Sequence, residues 1–314
     1  MVAGLVTAEP LLMVLLGPTA SGKTALSLKL AETFNGEIVS CDSMAVYREM
    51  EIGTAKPSRE ERARVPHHLI DVYAPNEHST AGDYARLARE AIAGITERGH
   101  LPIVTGGTGL YLRALLDGLF AGPHRSEELR ARLERSRARH GSGWLHRVLA
   151  RMDAESAERI HRNDTPKLIR AIEVSLASRR PISEAWKDGR EPLKGYRILR
   201  IGLEPERRAL YARINERAAR MFDEGLIEEA RGLIANYGES PRAFDSLGYR
   251  QARAVLGGEM THKEAVAAAQ QGHRNYAKRQ QTWFRRESAV HWLKGFGNDA
   301  PVVSAAMELV KRAA

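Results

Sequence analysis

Six consecutive apolar residues, Leu11–Leu16, stand between Pro10 and Gly17, a run too short for a helix and apolar on both faces, as a strand covered on both sides of a sheet requires. Shorter β-prone runs lie at 37–41, 68–72 and 101–105. Between them the period changes. Residues 24–34 read as a helix, and 80–98 carry Ala81, Tyr84, Ala85, Leu87, Ala88, Ala91, Ile92 and Ile95 at helical spacing. From 121 onward strand patterning vanishes; an Arg-dense helix is predicted over 127–140 and further helices over 144–151, 154–161 and 167–179. It returns once, at 196–203, before further helices at 206–235 and 261–286. The alternation predicts an α/β fold, a parallel sheet core flanked by helices. Its first part is 1–120, an all-helical insertion domain is 121–195, and 196–314 completes the core with C-terminal helices.

The loop after the first strand gives the sheet a chemistry. Gly17, Pro18, Thr19, Ala20, Ser21, Gly22, Lys23 and Thr24 fill every fixed position of G-x-x-x-x-G-K-[ST] between a strand and a helix, so the core is P-loop NTPase-like. Its glycines let successive amides turn inward on phosphate oxygens, and the helix behind adds its positive end. Lys23 supplies a point charge, and the Thr24 hydroxyl is the candidate Mg²⁺ ligand. The loop implies a diphosphate or triphosphate without choosing one.

Other candidates sit where strands should end, at the crevice side. Asp42, with Ser43 beside it, suits a magnesium ligand, a general base or a turn cap; Asp71 competes for the metal role. Gly106-Gly107-Thr108-Gly109 reads either as a plain strand-to-helix turn or as a close backbone approach to a ligand with Thr108 at its tip. Arg213, Arg217 and Arg220 share one face of a helix, suited to a diphosphate if that face meets the crevice and to solvent if it does not. Residues 274–286 interleave four Arg and one Lys with Tyr276, Trp283 and Phe284, a mixture that fits RNA or, alternatively, a core stripe with solvated charges.

Composition narrows the partners. The 314 residues are 43% hydrophobic and 28% charged, ordinary for a soluble globular protein. Residues 1–120 hold 11 Lys and Arg against 14 Asp and Glu, so the net charge of +9 lies wholly in the remainder, the footprint expected of a nucleic-acid partner or, alternatively, a solvated basic surface. Cys41 is the only cysteine, which excludes a disulfide framework and a Cys-based zinc site and points to a reducing cytoplasm. The apolar start lacks a positive n-region, and no apolar run approaches the roughly 20 residues of a membrane span.

In family order, the phosphate loop, Asp42-Ser43 with Val46-Tyr47, the segment 52–57, Gly106-Gly107-Thr108, the segment 170–174, Gly248-Tyr249-Arg250 and the segments 277–280 and 282–285 together resemble the bacterial tRNA dimethylallyltransferase (isopentenyltransferase) family. The resemblance implies transfer of a dimethylallyl group from dimethylallyl diphosphate to N6 of adenosine 37, beside a tRNA anticodon. The loop then holds a prenyl diphosphate with Mg²⁺, not the tail of ATP. Asp42 becomes the general base, and Arg217, with Arg213 as fallback, faces the leaving diphosphate. The resemblance also assigns tRNA contacts to Asp42, Ser43, Met44, Ala45 and Thr108, to Arg130, Pro166, Lys167, Leu168, Ile169 and Arg170 in the insertion that clasps the anticodon stem-loop, and to Gly248, Tyr249, Arg250, Lys278, Arg279, Gln280, Gln281, Thr282, Trp283, Phe284 and Arg285. A monomer without membrane contact is expected. The residues alone leave open an ATP-dependent kinase of a small metabolite or nucleotide, and an RNA-binding protein with a vestigial loop.

Overall fold

The chain places β1 (Leu11–Leu16) at the heart of a six-stranded sheet, with α1 (Lys23–Thr33), β2 (Gly36–Cys41), α2 (Arg59–Arg64), β3 (His67–His68), α3 (Ala81–Glu97), β4 (Leu101–Gly106) and α4 (Gly109–Leu116) succeeding it in turn. A computed structural model describes residues 9–120, 122–123 and 125–314. After the segment 117–192 come β5 (Arg197–Leu203), then α10 (Arg207–Asp223), α11 (Leu226–Tyr237), α12 (Tyr249–Leu256), α13 (His262–Phe284), β6 (Val290–Leu293) and α14 (Ala300–Ala313). The strand order is β3-β2-β4-β1-β5-β6 and every pairing is parallel.

The unbroken apolar run of β1 is explained by two cores. Leu12, Val14 and Leu16 face Tyr84, Ala88 and Ile92 of α3 and Leu112 and Leu115 of α4. Met13 and Leu15 face the opposite way, against Leu26 and Leu30 of α1 and Val302, Ala306 and Val310 of α14. Because all strands are parallel, the residues after β1, β2 and β4 emerge along one edge, with Cys41 opposite Gly106 and Leu15 opposite Thr105. At the other edge Glu37, 3% exposed, receives Arg98, His68 and His100. Burial alone would raise its pKa, but the hydrogen bonds from Arg98, His68 and His100 outweigh it and hold the carboxyl at about 2.

The structure departs from the pattern reading in several places. The run 68–72 is not a strand: β3 stops at His68, because Leu69 and Asp71 turn to φ 63° and 58°. The helix expected over 206–235 is two, parted at Gly225 with φ 102°. Strand β6 and helices α12 and α14 have no counterpart in the pattern reading. No helix among the described residues is long and apolar enough to cross a membrane.

Residues 117–192 form a compact unit of their own, beside the expected boundaries 121–195. It contains α5 (Glu127–His140), α6 (Trp144–Met152), α7 (Ala154–Arg159), α8 (Thr165–Ser178) and α9 (Ile182–Ala185), packed around Leu133, Leu145, Leu149, Leu168, Ile169 and Ile172. Two buried carboxylates organise it. Asp153 caps α7 and accepts from Ser183. Glu173, 1% exposed, accepts the Ser126 amide at 2.7 Å, Arg130 at 3.1 Å and Arg170 at 2.9 Å.

Candidate active site

Where the strand ends meet, a cleft of about 450 Å³ opens, lined by the phosphate loop, Asp42, the segment 54–57 and the Arg face of α10. Gly22 turns the loop into α1 with φ 88°, and a Cβ there would lie 2.7 Å from the amide nitrogen of Gly297. The amide of Gly297 also donates to Ser21 O at 2.9 Å, so the segment between β6 and α14 is fitted against the loop. Lys23 bends back over its own loop, donating to the carbonyls of Gly17 at 2.9 Å and Pro18 at 2.8 Å. Burial, helped by nearby Arg217 and opposed by Asp42, pulls its pKa down to about 8. The Thr24 hydroxyl and the Asp42 carboxylate line the same cleft and are the hard oxygen donors a diphosphate-borne Mg²⁺ takes. Among the described residues no group of three His, Cys, Asp or Glu could hold a metal unaided. One hydroxyl and one carboxylate are too few to cage Mg²⁺ and suit an ion shared with a diphosphate.

Asp42 comes directly after β2. Its Oδ1 accepts from the amides of Met44 at 2.8 Å and Ala45 at 3.4 Å, so the cap reading holds for that oxygen. Oδ2 has no hydrogen-bond partner among the described residues, which leaves a carboxylate oxygen for other work in the cleft. Asp71 is excluded from the metal role: Lys56 at 2.5 Å and Arg62 at 2.7 Å neutralise it.

On α10, Arg213, Arg217 and Arg220 all reach the cleft, which decides for that face against the solvent reading. The Arg217 guanidinium bonds the Thr19 hydroxyl. Burial lowers its pKa to about 10, Asp42 resists and Arg220 adds to the fall, so it stays charged at neutral pH. Arg213 lies 3.5 Å from the centre of the Phe296 ring and donates to Asn298 at 2.9 Å. Behind them on α13, His273 is 7% exposed, and burial together with Arg217 pushes its pKa to about 4, keeping it neutral.

The glycine turn after β4 answers to α13. A Cβ on Gly107 would lie 2.2 Å from Gln280 Nε2, and one on Gly109 would lie 2.3 Å from the Trp283 ring. The close approach at Gly107 and Gly109 is thus to this chain's own helix, while Gly106 and Gly107 also line the cleft. Thr108 at its tip accepts the Ser43 amide at 3.0 Å, tying the turn to the residue after Asp42.

Several residues assigned to RNA or phosphate have side chains or amides that are engaged internally. Leu168 and Ile169 are core residues of the helical unit, and Arg130 is committed to Glu173. Tyr249, 1% exposed, packs on Gly53 and donates to Glu229, while Phe284 is equally buried in the sheet core. Ala45 is buried and lines the cleft. Trp283 lies against Gly109 with Arg113 at 4.6 Å from its ring, so the aromatics of α13 are not a stacking row. The Thr19 amide donates to Gln280 Oε1 at 2.7 Å. Exposed and fit for a partner are Arg250, Lys278, Arg279, Thr282 and Arg285 in the sheet unit, and Pro166 and Lys167 in the helical one. Ser43, Met44, Arg170 and Gln281 are half-buried. Arg213's seat on Phe296 and the role of Gln280 were missed; a glutamine on an otherwise apolar helix stripe was the available signal.

A sequence profile of the IPP transferase family matches residues 45–287, and one described as isopentenyl transferase matches 10–73. A tRNA dimethylallyltransferase from Koribacter versatilis is 65% identical across 96% of this chain and 99% of its own. One from Solibacter usitatus is 52% identical across 96% and 98%. Among solved structures, a tRNA isopentenylpyrophosphate transferase from Bacillus halodurans superposes with a TM-score of 0.70 at 37% identity, covering 97% of both chains.

Proposed function

The chain belongs to the IPP transferase family, enzymes of the prenyltransferase type that act on tRNA, and from that premise we propose that it moves a dimethylallyl group from dimethylallyl diphosphate to N6 of adenosine 37 in the anticodon stem-loop. The observation that carries this reading is the meeting of Asp42 with Lys23 and Arg217 in one cleft, a base opposite a diphosphate grip. The allylic C–O bond breaks and its electron pair leaves with diphosphate. The N6 lone pair forms the new N–C bond, and the N6 proton passes to Asp42 Oδ2. Lys23, the loop amides other than that of Thr19, and Arg217 meet the charge that grows on the leaving group, where fixed donors act most strongly. Mg²⁺, held at Thr24 and the phosphate oxygens, would add charge neutralisation to the same diphosphate. The adenine must leave the anticodon stack to reach the cleft. Thr108, Ser43 and Met44, which neighbour Asp42, are assigned to receiving it; Lys278, Arg279, Thr282 and Arg285 have the exposure to meet the backbone. The enzyme works in the cytoplasm, and as a monomer, since one chain supplies every group the reaction uses.

The test is incubation of the purified protein with unmodified tRNA, Mg²⁺ and either dimethylallyl diphosphate or ATP, with mass spectrometry of the digested nucleosides. N6-dimethylallyladenosine forming only with the prenyl donor supports the reading. No modified adenosine, with ADP released from ATP, transfers the site to a kinase.

Two further outcomes are expected. Diphosphate binds the protonated form of Lys23, so binding takes up a proton above pH about 8. The KM for dimethylallyl diphosphate therefore stays level below that pH and rises above it, toward about tenfold per pH unit. Lys23→Met abolishes the rise; a level KM up to pH 9.5 in the wild type removes Lys23 from the grip. In the helical unit, Arg132, Arg135 and Arg139 are exposed on α5, whereas Arg130 is not. Changing those three to Gln weakens tRNA binding and lowers the slope of log Kd against log salt by about 2, for phosphate contacts at roughly 0.7–0.9 each. An unchanged slope places the clasp elsewhere.

A further inference from the structure

Gln280 is 5% exposed and engaged at both ends of its carboxamide. Oε1 accepts the Thr19 amide at 2.7 Å, and Nε2 donates to the Gly107 carbonyl at 2.9 Å. A backbone N–H only donates and a C=O only accepts, so these two partners fix the amide's orientation. Glutamate lacks the donor, methionine lacks both groups, and asparagine is one methylene short. The absence of a side chain on Gly107 is what lets Nε2 approach. Each partner leads to a different half of the site. Thr19 carries the hydroxyl that bonds Arg217, on the diphosphate side. Gly107 precedes Thr108, which holds the Ser43 amide next to Asp42, on the acceptor side. Tyr276, one turn earlier on α13, donates to the same Gly107 carbonyl at 3.2 Å and steadies the joint.

We propose that Gln280 is a positioning residue of the transfer reaction: it sets the spacing between the phosphate loop and the glycine turn that is tied through Thr108 and Ser43 to Asp42, and so between the allylic carbon and the acceptor nitrogen. This rests on the transferase reading above. Both polar ends of the side chain are spent on backbone, so it acts through the two loops and not on either substrate. Its removal leaves each substrate's own contacts in place and lets the two halves shift. A misplacement of about 1 Å at a reacting pair costs about 10²-fold in rate. The loss therefore falls on the rate of the bound complex and not on either affinity.

The experiment compares Gln280→Glu and Gln280→Met with wild type in single-turnover prenylation of tRNA. At pH 8 both variants are expected to keep tRNA Kd and the KM for dimethylallyl diphosphate within about threefold while the saturated rate falls about thirtyfold. The acid form of the Gln280→Glu side chain regains an O–H donor for Gly107 and a carbonyl acceptor for Thr19. Its rate relative to Gln280→Met therefore rises at least about fivefold between pH 8 and 6, the ratio removing the pH dependence that the two variants share. Saturated rates within threefold of wild type, a loss confined to KM, or a ratio indifferent to pH overturns the proposal. Should Gln280→Glu lack the wild-type circular dichroism, the KM-against-rate split of Gln280→Met decides alone. A wild-type protein that prenylates no tRNA refutes the transferase reading instead. Hydrogen exchange of the Thr19 amide still judges the bridge in that event: at least about tenfold faster in Gln280→Met supports it, and unchanged exchange refutes it.

Discussion

Replacing Asp42 by Asn lowers the single-turnover rate of prenyl transfer at least about a hundredfold and leaves tRNA affinity within about threefold. The adenine N6 amine is a poor nucleophile because its lone pair is delocalised into the ring, and removing its proton at the moment of attack is worth about 10²–10⁴-fold. Asn is the informative substitution. Asp42 Oδ1 also holds the Met44 and Ala45 amides, and Asn keeps an oxygen there while losing the base. Asp42→Ala removes both, and the lost cap costs about 1 kcal/mol of local stability that would blur the result. Single-turnover rates for both variants, beside tRNA Kd by filter binding, separate the roles. A rate near wild type in Asp42→Asn reduces this residue to a turn cap and sends the search for a base elsewhere in the cleft.

Arg217→Ala lowers kcat/KM for dimethylallyl diphosphate by about 10²–10³, the usual loss when one fixed donor to a developing anion is removed. Charge alone does not restore it, so Arg217→Lys recovers less than about a tenth of the deficit. The guanidinium is held by the Thr19 hydroxyl and has donors left over for phosphate oxygens, a fork that a lysine ammonium cannot reproduce. Arg213→Ala loses less, because its guanidinium lies over Phe296 and donates to Asn298, with less of it turned to the cleft. Steady-state kinetics of the three variants rank them. Equal losses at 213 and 217 would mean that neither is specially placed.

How much of this was legible from the chain depends on whether the cause was local. The phosphate loop reads directly because its glycines answer to local backbone geometry, and β1 reads directly because both faces of a central parallel strand are apolar. The insertion was visible through its change of period. The glycines at 106–109 were visible as a turn, but the reason for two of them was not: Gln280 and Trp283 approach from about 170 residues away, and no local pattern encodes that. Phe284 and Tyr249 resembled interface aromatics until their neighbours were known. Strand β6 escaped because only four residues pair at the sheet edge. For α14 the signal existed, in Val302, Ala306 and Val310 at intervals of four, and was not used. Asp71 kept a metal reading only while Lys56 and Arg62 were out of view.

The fit of Gly297 against Gly22 bears on how the protein is made. The phosphate loop is complete once Thr24 has been added, yet the Thr19 amide finds its partner 261 residues later, and Gly297 is added later still. Synthesis runs from the N-terminus at roughly 5–20 residues per second, so the loop spends many seconds outside the ribosome without either support. Contacts this distant in sequence are also the slow ones to form. A nascent chain therefore displays the whole motif well before the contacts that set this loop against the rest of the site have formed.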